Sequence, residues 1–183
     1  MIININSWPG VGKLSVAERL QPRIGGRLLD NHTIFNVAFS LCEFRSPEFF
    51  DTVRAVRRIG FTVASKVPPS IPIILTSAYA NTPFGQENWA AIRELANVRA
   101  VPLCNVVLDC SLDENLRRLQ SPARAPLRKL TNPGPLVSSR QSGELLIDGG
   151  DHHLRFDVTE LSPDEGASRI ENWVRELGLV KGP

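Results

Sequence analysis

The sequence has 183 residues, of which 42% are hydrophobic and 22% charged, and its 21 basic and 19 acidic side chains give a formal net charge of +2. This length suits a single domain, or slightly more, whose core needs no disulfide or structural metal. The composition excludes a disordered, collagen-like or coiled-coil chain. A net charge this small does not by itself indicate a polyanionic partner.

Short apolar segments alternate along the chain with longer segments of helical periodicity. This alternation predicts an α/β fold with a parallel sheet. The predicted strands cover residues 2–6, 27–30, 71–77, 101–109 and 154–158.

The helices between these strands have recognisable starts and faces. A first helix opens at residue 14, directly after a glycine-rich turn. Ser111 with Glu114, and Ser162 with Glu165, have the spacing of a capping box, and Pro163 takes the favoured first helical position. Residues 49–67 carry apolar residues at helical spacing. They are Phe49, Val53, Val56, Gly60, Val63 and Val67.

The cysteines and the first residues indicate the compartment. Cys42, Cys104 and Cys110 are an odd number without metal-type spacing, which favours reduced thiols in a cytoplasm. Residues 1–6 have no basic region of a signal peptide. No apolar stretch approaches the roughly 20 residues that a membrane span needs. We therefore expect a cytoplasmic protein without membrane contact.

The strongest chemical signal is the segment 7–15, Ser-Trp-Pro-Gly-Val-Gly-Lys-Leu-Ser, between the first strand and the first helix. Glycines let successive backbone N–H groups converge on a phosphate at a helix N-terminus, and a lysine there reaches the β- and γ-phosphates. An ordinary strand-to-helix turn is the alternative. The predicted nucleotide-binding residues are Pro9, Gly10, Val11, Gly12, Lys13, Leu14 and Ser15.

Two positions of this loop depart from the pattern Gly-x-x-x-x-Gly-Lys-[Ser/Thr]. Ser7 stands at the first glycine position, where it is tolerable, and Leu14 stands where a hydroxyl normally binds Mg²⁺. Ser15 follows one residue later, and one residue rotates a helical side chain by about 100°. Phosphate binding is therefore predicted, whereas Ser15 is only a candidate metal ligand.

A second candidate group follows the second strand. Asp30 lies at its carboxyl end, the edge where open α/β sheets bind ligands. A carboxylate there can hold Mg²⁺ or accept a proton from an attacking hydroxyl, and His32 can bind the substrate. The alternative is that Asp30 only caps the next helix.

Basic residues are concentrated in one part of the chain. Residues 115–143 contain six basic side chains and no acidic one, which leaves 15 basic against 19 acidic residues elsewhere. The six are Arg117, Arg118, Arg124, Arg128, Lys129 and Arg140. The proline-rich part, 121–143, is predicted to be the least structured stretch. A basic lid over 117–143 would neutralise a transferring phosphoryl group. The alternatives are that this stretch is a solvated basic loop or a surface that binds an anionic partner.

Three arginines, Arg54, Arg57 and Arg58, are predicted on one face of the helix over 49–67, opposite its apolar stripe. Arg54 and Arg58 are candidate ligands of an anionic substrate. A solvated helix face is the alternative.

The chain resembles the small P-loop kinases, the group of adenylate, shikimate and gluconate kinases and chloramphenicol phosphotransferase. The resemblance rests on residues 8–13 after the first strand, Asp30 after the second, and the basic segment 117–129 before the last strand. More narrowly, segment 12–17 with Asp30 and His32 is similar to shikimate-kinase-like or AAA-type ATPase proteins in which Leu also follows the Lys.

The resemblance implies one domain over 1–183 with a three-layer P-loop NTPase fold and a five-stranded parallel sheet of order 2-3-1-4-5. It also implies ATP with Mg²⁺, and a lid arginine near the transferred phosphate. Arg124 and Arg128 are the candidates for that arginine. Residues 76–81 lack both the Gly-rich turn of shikimate kinase and the Asp-Gly-x-Pro-Arg of adenylate kinase. Shikimate and nucleoside monophosphates are therefore not the expected acceptors.

The leading hypothesis is an ATP-dependent kinase acting on a hydroxyl of a small molecule. Lys13 would hold ATP phosphates, Asp30 would orient or deprotonate the acceptor, and Arg124 or Arg128 would stabilise the transferring group. The alternative is a nucleotide-binding regulator without phosphotransfer, with Leu14 marking lost metal ligation. A nucleic-acid surface over 115–143 is a third hypothesis, and we do not expect nucleic acid to be the partner.

Overall fold

The computed structural model describes residues 1–122, 131–146 and 149–180. The strands over these residues are β1 (Ile2–Asn6), β2 (Arg27–Leu29), β3 (Ile73–Ser77), β4 (Leu103–Asp109) and β5 (His152–Asp157). The helices are α1 (Lys13–Arg23), α2 (Asn31–Leu41), α3 (Pro47–Ser65), α4 (Pro83–Arg99), α5 (Leu112–Leu119), α6 (Pro133–Ser142) and α7 (Pro163–Glu176).

The five strands form one sheet in the order β2-β3-β1-β4-β5, and all neighbours are parallel, which confirms the predicted topology. The last residue of β1, Asn6, pairs with Ser77 of β3 and Val107 of β4. Because parallel strands end at the same edge, the segments that follow β1, β3 and β4 begin side by side.

Helices cover both faces of the sheet, as the three-layer prediction required. On one face, α1 and α7 pack through buried side chains such as Leu20 and Ile170. On the other face, α4 contributes Trp89 and Ile92. A third apolar cluster, with Ile34, Ala38, Phe49 and Val53 as its buried members, joins α2 to α3.

Four of the five predicted strands differ from the structure at their boundaries. Residues 101–109 become Leu103–Asp109 and residues 154–158 become His152–Asp157, and the other two differences have local reasons. β2 ends at Leu29 because Asp30 already acts as the N-cap of α2, its side chain accepting from the His32 N–H. β3 begins after Pro72, which has no N–H to donate to a neighbouring strand, although its carbonyl accepts from Arg27 N at 2.8 Å.

Helix α6 corrects the prediction that 121–143 is the least structured stretch. It occupies Pro133–Ser142, with the Asn132 side chain accepting from Gly134 N and Pro133 in the first turn. Polar N-cap followed by proline is the same signal that predicted α7 at Ser162 and Pro163. Three further prolines nearby obscured it.

The buried face of α3 also differs from the predicted stripe. Phe49 and Val53 are buried as expected, but Val63 is 61% exposed and Arg57 is buried. The prediction that Arg57 lies opposite the apolar face was wrong because Asn88 and Glu87 of α4 give its guanidinium hydrogen-bond partners inside the helix interface.

The two predicted capping boxes have different outcomes. Ser162 and Glu165 form the complete reciprocal box at the start of α7. At α5, Ser111 accepts from the Glu114 N–H at 3.3 Å, but the Glu114 carboxylate bonds arginines of the same helix instead of returning to the cap.

Candidate active site

The glycine loop leaves β1 and enters α1 through two left-handed glycines. Gly10 has φ +94° and Gly12 has φ +113°, a region that side chains with a Cβ rarely adopt. Gly12 is also the N-cap of α1, and no described side chain caps this helix. Its first turn contains no acidic residue. The first N–H groups of α1 and the positive end of its dipole are therefore arranged for an anion.

Lys13 folds back over the loop that precedes it. Its Nζ lies 3.4 Å from both the carbonyl oxygen and the Oγ of Ser7, and 3.5 Å from the carbonyl oxygen of Trp8. These are long contacts for an ammonium donor. An incoming phosphate oxygen can replace them at shorter distance.

Two side chains of α5 hold the glycine loop, a contact that sequence reasoning did not predict. Asn115 Nδ2 donates to the carbonyl of Pro9 at 2.8 Å, and Arg118 Nη1 donates to the carbonyl of Val11 at 2.8 Å. A Cβ on Gly10 would lie only 2.6 Å from Asn115 Nδ2, so glycine is also required sterically. Arg118 Nη2 reaches the carbonyls of Val158 and Thr159 after β5.

Arg140 of α6 connects the predicted lid to this support. Its guanidinium donates to Asn115 Oδ1 at 2.9 Å, to Asp109 Oδ1 at 3.1 Å and to the carbonyl of Cys110 at 2.9 Å. Asp109, the last residue of β4, also accepts from Arg155 at 3.0 Å. No short motif identifies Asp109 or Asn115, because their partners are distant in sequence.

The basic stretch is therefore partly structural. Arg117 and Arg118 both bond Glu114, and these hydrogen bonds lower the pKa of Glu114 to about 2. Arg140 is bonded as described above. The predicted catalytic residues Arg124 and Arg128 lie outside the described residues.

Asp30 caps helix α2, which is the role that the sequence offered as the alternative to metal binding or proton transfer. Its Oδ1 accepts from the backbone N–H of His32 at 2.8 Å, and its Oδ2 accepts from Thr33 Oγ1 at 2.5 Å. An ionised carboxylate has about four lone-pair directions, so these two bonds leave capacity for a further donor. The ring of His32 stacks on Phe39 with centroids 6.4 Å apart.

Asn31 links Asp30 to the end of β3. Its N–H donates to Thr76 Oγ1 at 2.9 Å, and its Oδ1 accepts from the Tyr79 hydroxyl at 3.3 Å. Burial raises the pKa of Tyr79 above its ordinary value, which keeps this hydroxyl a donor.

Buried asparagines of β1 hold the segment that carries Tyr79. Asn6 Oδ1 accepts from the Tyr79 N–H at 2.9 Å, and Asn6 Nδ2 donates to the carbonyls of Tyr79 at 3.0 Å and Leu146 at 3.1 Å. Asn4 bonds Asn105 of β4. Two asparagines in a strand of isoleucines are the only sequence signal of this network, since buried amides require partners.

The arginines of α3 bond acidic and amide groups of neighbouring turns. Arg54 donates to both oxygens of Glu87 and to Asp51, while Arg57 donates to Glu87 and Asn88. Arg58 is exposed and lines a groove of about 550 Å³ between α3 and α4, together with Arg54. The described contacts of these arginines are with α3 and α4, not with the glycine loop.

The residues that could hold magnesium form a small set. Ser15 is exposed on the first turn of α1, and Asp30 already accepts two hydrogen bonds. Within the described ranges, no three His, Cys, Asp or Glu side chains are placed to hold a metal ion. Mg²⁺ is commonly held by one or two protein groups plus phosphates and water. The donors present therefore fit magnesium only when it arrives with a nucleotide.

Cys104 and Cys110 are buried among apolar side chains of the same cluster. Burial raises the pKa of the Cys104 thiol to about 12 and also raises that of Cys110. Both thiols therefore stay protonated near neutral pH. None of the helices among the described residues has the length and hydropathy to cross a membrane.

Comparisons with known proteins identify the fold. No protein-family model matches the sequence, and no curated protein matches it. The chain is similar in structure to a candidate kinase from Chloroflexus aurantiacus J-10-fl, with 18% identity, a TM-score of 0.70, and coverage of 96% of this chain and 94% of that one.

Two further structures are shikimate kinase from Acinetobacter baumannii in complex with shikimate, and APS kinase from Mycobacterium tuberculosis in complex with AMPPNP and APS. The first is 17% identical with a TM-score of 0.60, covering 96% of this chain and 93% of that one. The second is 17% identical with a TM-score of 0.60, covering 95% and 96%. The chain therefore has the fold of the P-loop kinases, the group that includes shikimate kinase, gluconokinase and APS kinase.

Proposed function

We propose that the protein is an ATP-dependent phosphotransferase that moves the γ-phosphate of ATP to a hydroxyl group of a small molecule. The observation that carries this proposal is the glycine loop. Gly10 and Gly12 adopt left-handed φ values, α1 starts at Lys13 without a described side-chain cap, and the Lys13 ammonium lies over the loop. These features together suit the phosphates of a nucleotide.

In the proposed reaction, the loop N–H groups and Lys13 bind the phosphates, and Asp30 binds the acceptor hydroxyl. The acceptor oxygen forms a bond to the γ-phosphorus while the bond to the leaving ADP oxygen breaks, and the hydroxyl proton passes to the Asp30 carboxylate. Arg124 and Arg128 stay the predicted residues for stabilising the transferring group. Magnesium bound with the nucleotide would neutralise phosphate charge, and Ser15 would be its candidate protein ligand while Asp30 acts as the base.

Calorimetric titration with ATP tests the binding step. The wild-type chain should bind ATP, Lys13→Ala should bind it at least tenfold more weakly, and Lys66→Ala should bind it like the wild type. Lys66 is an exposed lysine at the end of α3, so it controls for the loss of one positive charge. Equal affinity in the wild type and Lys13→Ala would refute the proposal.

ATP turnover with added hydroxyl compounds tests the transfer step. Asp30→Asn keeps an oxygen to cap α2 but removes the base. This variant should therefore bind ATP normally and lose turnover.

Leu14 favours a second candidate function, a nucleotide-binding regulator without phosphotransfer, because the position that commonly gives a hydroxyl to Mg²⁺ is apolar. Nucleotide binding that EDTA does not change, together with no acceptor-dependent turnover, would support this function instead.

A further inference from the structure

The residue that precedes the glycine loop is an asparagine whose side chain is buried and fully bonded. Asn6 is only 1% exposed. Its Oδ1 accepts from the Tyr79 N–H at 2.9 Å and from Ser77 Oγ at 3.1 Å. Its Nδ2 donates to the carbonyl of Tyr79 at 3.0 Å and to that of Leu146 at 3.1 Å. Because a side-chain amide has two donor hydrogens and two acceptor lone pairs, these partners occupy its whole capacity and fix its position.

The segment after β3 is therefore held at Tyr79 through both backbone groups of that residue. The Tyr79 carbonyl also accepts from the Leu146 N–H at 2.9 Å, and the Asn81 N–H donates to the Glu144 carbonyl at 2.8 Å. This segment thus lies between Asn6 on one side and the chain that follows α6 on the other.

On the loop side, Asn6 is linked to the lysine that would bind phosphate. Lys13 Nζ lies 3.4 Å from both the carbonyl oxygen and the Oγ of Ser7, the residue directly after Asn6. These contacts are long for an ammonium donor, and a nucleotide phosphate would draw the ammonium away from Ser7. Nucleotide binding would therefore change the surroundings of the peptide group next to Asn6.

On the acceptor side, Tyr79 links Asn6 to the proposed base. The Tyr79 hydroxyl donates to Asn31 Oδ1 at 3.3 Å, and Asn31 directly follows Asp30 in the chain. The route from Lys13 to Asp30 thus runs through described contacts and sequence neighbours, with the Asn6 amide in its middle.

The distance between these two ends matters for the proposed reaction. Phosphoryl transfer needs the acceptor oxygen in line with the γ-phosphorus, and a misplacement of about 1 Å can cost about 100-fold in rate. Lys13 holds the phosphate end and Asp30 the acceptor end of this line.

We infer that Asn6 is a positioning residue, which fixes Asp30 relative to Lys13 and transmits nucleotide binding from the glycine loop to the acceptor side. The inference rests on the proposed function, because that function gives Lys13 and Asp30 their roles. Asn6 acts through Ser7 and Tyr79 and is not itself a catalytic residue.

Nuclear magnetic resonance of ¹⁵N-labelled protein titrated with ADP tests the inference. The backbone signals of Gly10 and Gly12 report nucleotide binding at the loop, while the backbone signal of Tyr79 and the side-chain amide signals of Asn31 report on the acceptor side. We expect ADP to shift all of them in the wild type. Asn6→Leu has the branching of asparagine but forms no hydrogen bond. It should keep the glycine shifts and reduce those of Tyr79 and Asn31 at least threefold.

Asn4→Leu is the matched control for the loss of a buried amide. Asn4 lies two positions earlier in β1 and is also 1% exposed, and its described bonds are with Asn105 and Ser77, not with Tyr79. This variant loses buried hydrogen bonds as Asn6→Leu does, so it measures the effect of destabilisation alone. It should keep all the ADP shifts.

Tyr79→Phe interrupts the same route at a second point and tests the inference even if Asn6→Leu does not fold. It removes only the hydroxyl, because Asn6 bonds the backbone of residue 79. ADP should still shift the backbone signal of residue 79 and should no longer shift the side-chain amide of Asn31.

The outcomes separate the inference from the proposed function. Glycine shifts without Tyr79 and Asn31 shifts in the wild type would overturn the inference alone. So would Asn31 shifts that persist in Asn6→Leu or Tyr79→Phe, or that disappear equally in Asn4→Leu. Loss of the glycine shifts in Asn6→Leu would also overturn it, because Asn6 would then support nucleotide binding itself. Absent glycine shifts in the wild type would refute the proposed function, and the inference would fail with it.

Discussion

The side-chain amide of Asn115 donates a hydrogen bond to the carbonyl of Pro9 at 2.8 Å, across 106 positions of sequence. The other end of the same amide, Oδ1, accepts from Arg140 Nη1 at 2.9 Å. Because arginine only donates and a carbonyl only accepts, these two partners fix the orientation of the amide. The glycine loop thus lies on a buried side chain that α5 positions and α6 orients.

The first prediction concerns this amide. Asn115→Leu leaves the Pro9 carbonyl and one Arg140 donor without their partner, and an unsatisfied buried group costs about 1–3 kcal/mol. We expect a loss of that size in the free energy of unfolding, measured by urea denaturation, and ATP binding at least tenfold weaker. Asn172→Leu, at an exposed position of α7, should change neither quantity. Unchanged ATP affinity in Asn115→Leu would show that the loop does not depend on this support.

The second prediction separates two reasons for glycine. Gly10 and Gly25 both have positive φ, but only at Gly10 would a Cβ meet a neighbour closely, Asn115 Nδ2 at 2.6 Å. Gly25→Ala should lower the free energy of unfolding by about 1–2 kcal/mol through backbone strain alone and keep ATP affinity. Gly10→Ala should lower both the free energy of unfolding, by more than Gly25→Ala does, and ATP affinity. Equal effects of the two variants on ATP affinity would contradict the proposed role of the loop.

The third prediction concerns pH. The hydrogen bonds from Arg117 and Arg118 lower the pKa of Glu114 to about 2, below its ordinary value of 4.5. A carboxylate with a lowered folded-state pKa stabilises the protein above the unfolded-state pKa, and this stabilisation is lost as the pH falls through the folded-state value. The stability difference between wild type and Glu114→Gln should therefore be constant above about pH 5 and shrink toward pH 2.

Thermal unfolding measured by circular dichroism at several pH values gives this difference. Glu165→Gln is the comparison variant. Hydrogen bonds to Ser162 also lower the pKa of Glu165, but Ser162 caps α7 and the described bonds of this pair do not involve the glycine loop. Glu165→Gln should show pH-dependent stability and leave ATP affinity unchanged. A Glu114→Gln difference that persists to pH 2 would contradict the assignment.

The fourth prediction concerns the metal. Leu14 stands where the usual hydroxyl would be, and Ser15 is turned by about 100° around α1. Leu14→Thr should increase the ratio of ATP affinity with Mg²⁺ to that with EDTA severalfold, and Ser15→Ala should reduce it. Calorimetry in both buffers measures the ratio. A ratio that neither substitution changes would show that the protein contributes no hydroxyl to the metal.

The sequence predicted those features whose signals are local. Lys13 and its two glycines lie in one short segment, and the strands alternate with helices whose caps are readable, so the loop and the parallel α/β sheet could be predicted from the residues. The order of the strands was implied by the resemblance to the P-loop kinases. Asn132 with Pro133 carried an equally local signal for α6, which the surrounding prolines obscured.

The missed features depend on partners far along the chain. Arg57 belongs to an exposed-looking cluster of charges until Glu87 and Asn88, about 30 positions away, bury it. Asn115 gives no pattern by itself, because its function depends on Pro9 and Arg140. Composition and periodicity describe each segment alone and do not identify such pairs.

The bonds of Asn6 have a consequence for how the protein folds. Its side chain joins carbonyls 73 and 140 positions away, those of Tyr79 and Leu146. Contacts of such high sequence separation form slowly, because the loop closure entropy must be overcome first. We therefore expect the segment bearing Tyr79 to reach its final place only after residues up to 146 have folded against β1. Acquisition of ligand affinity should be a late event of refolding, after most secondary structure has formed.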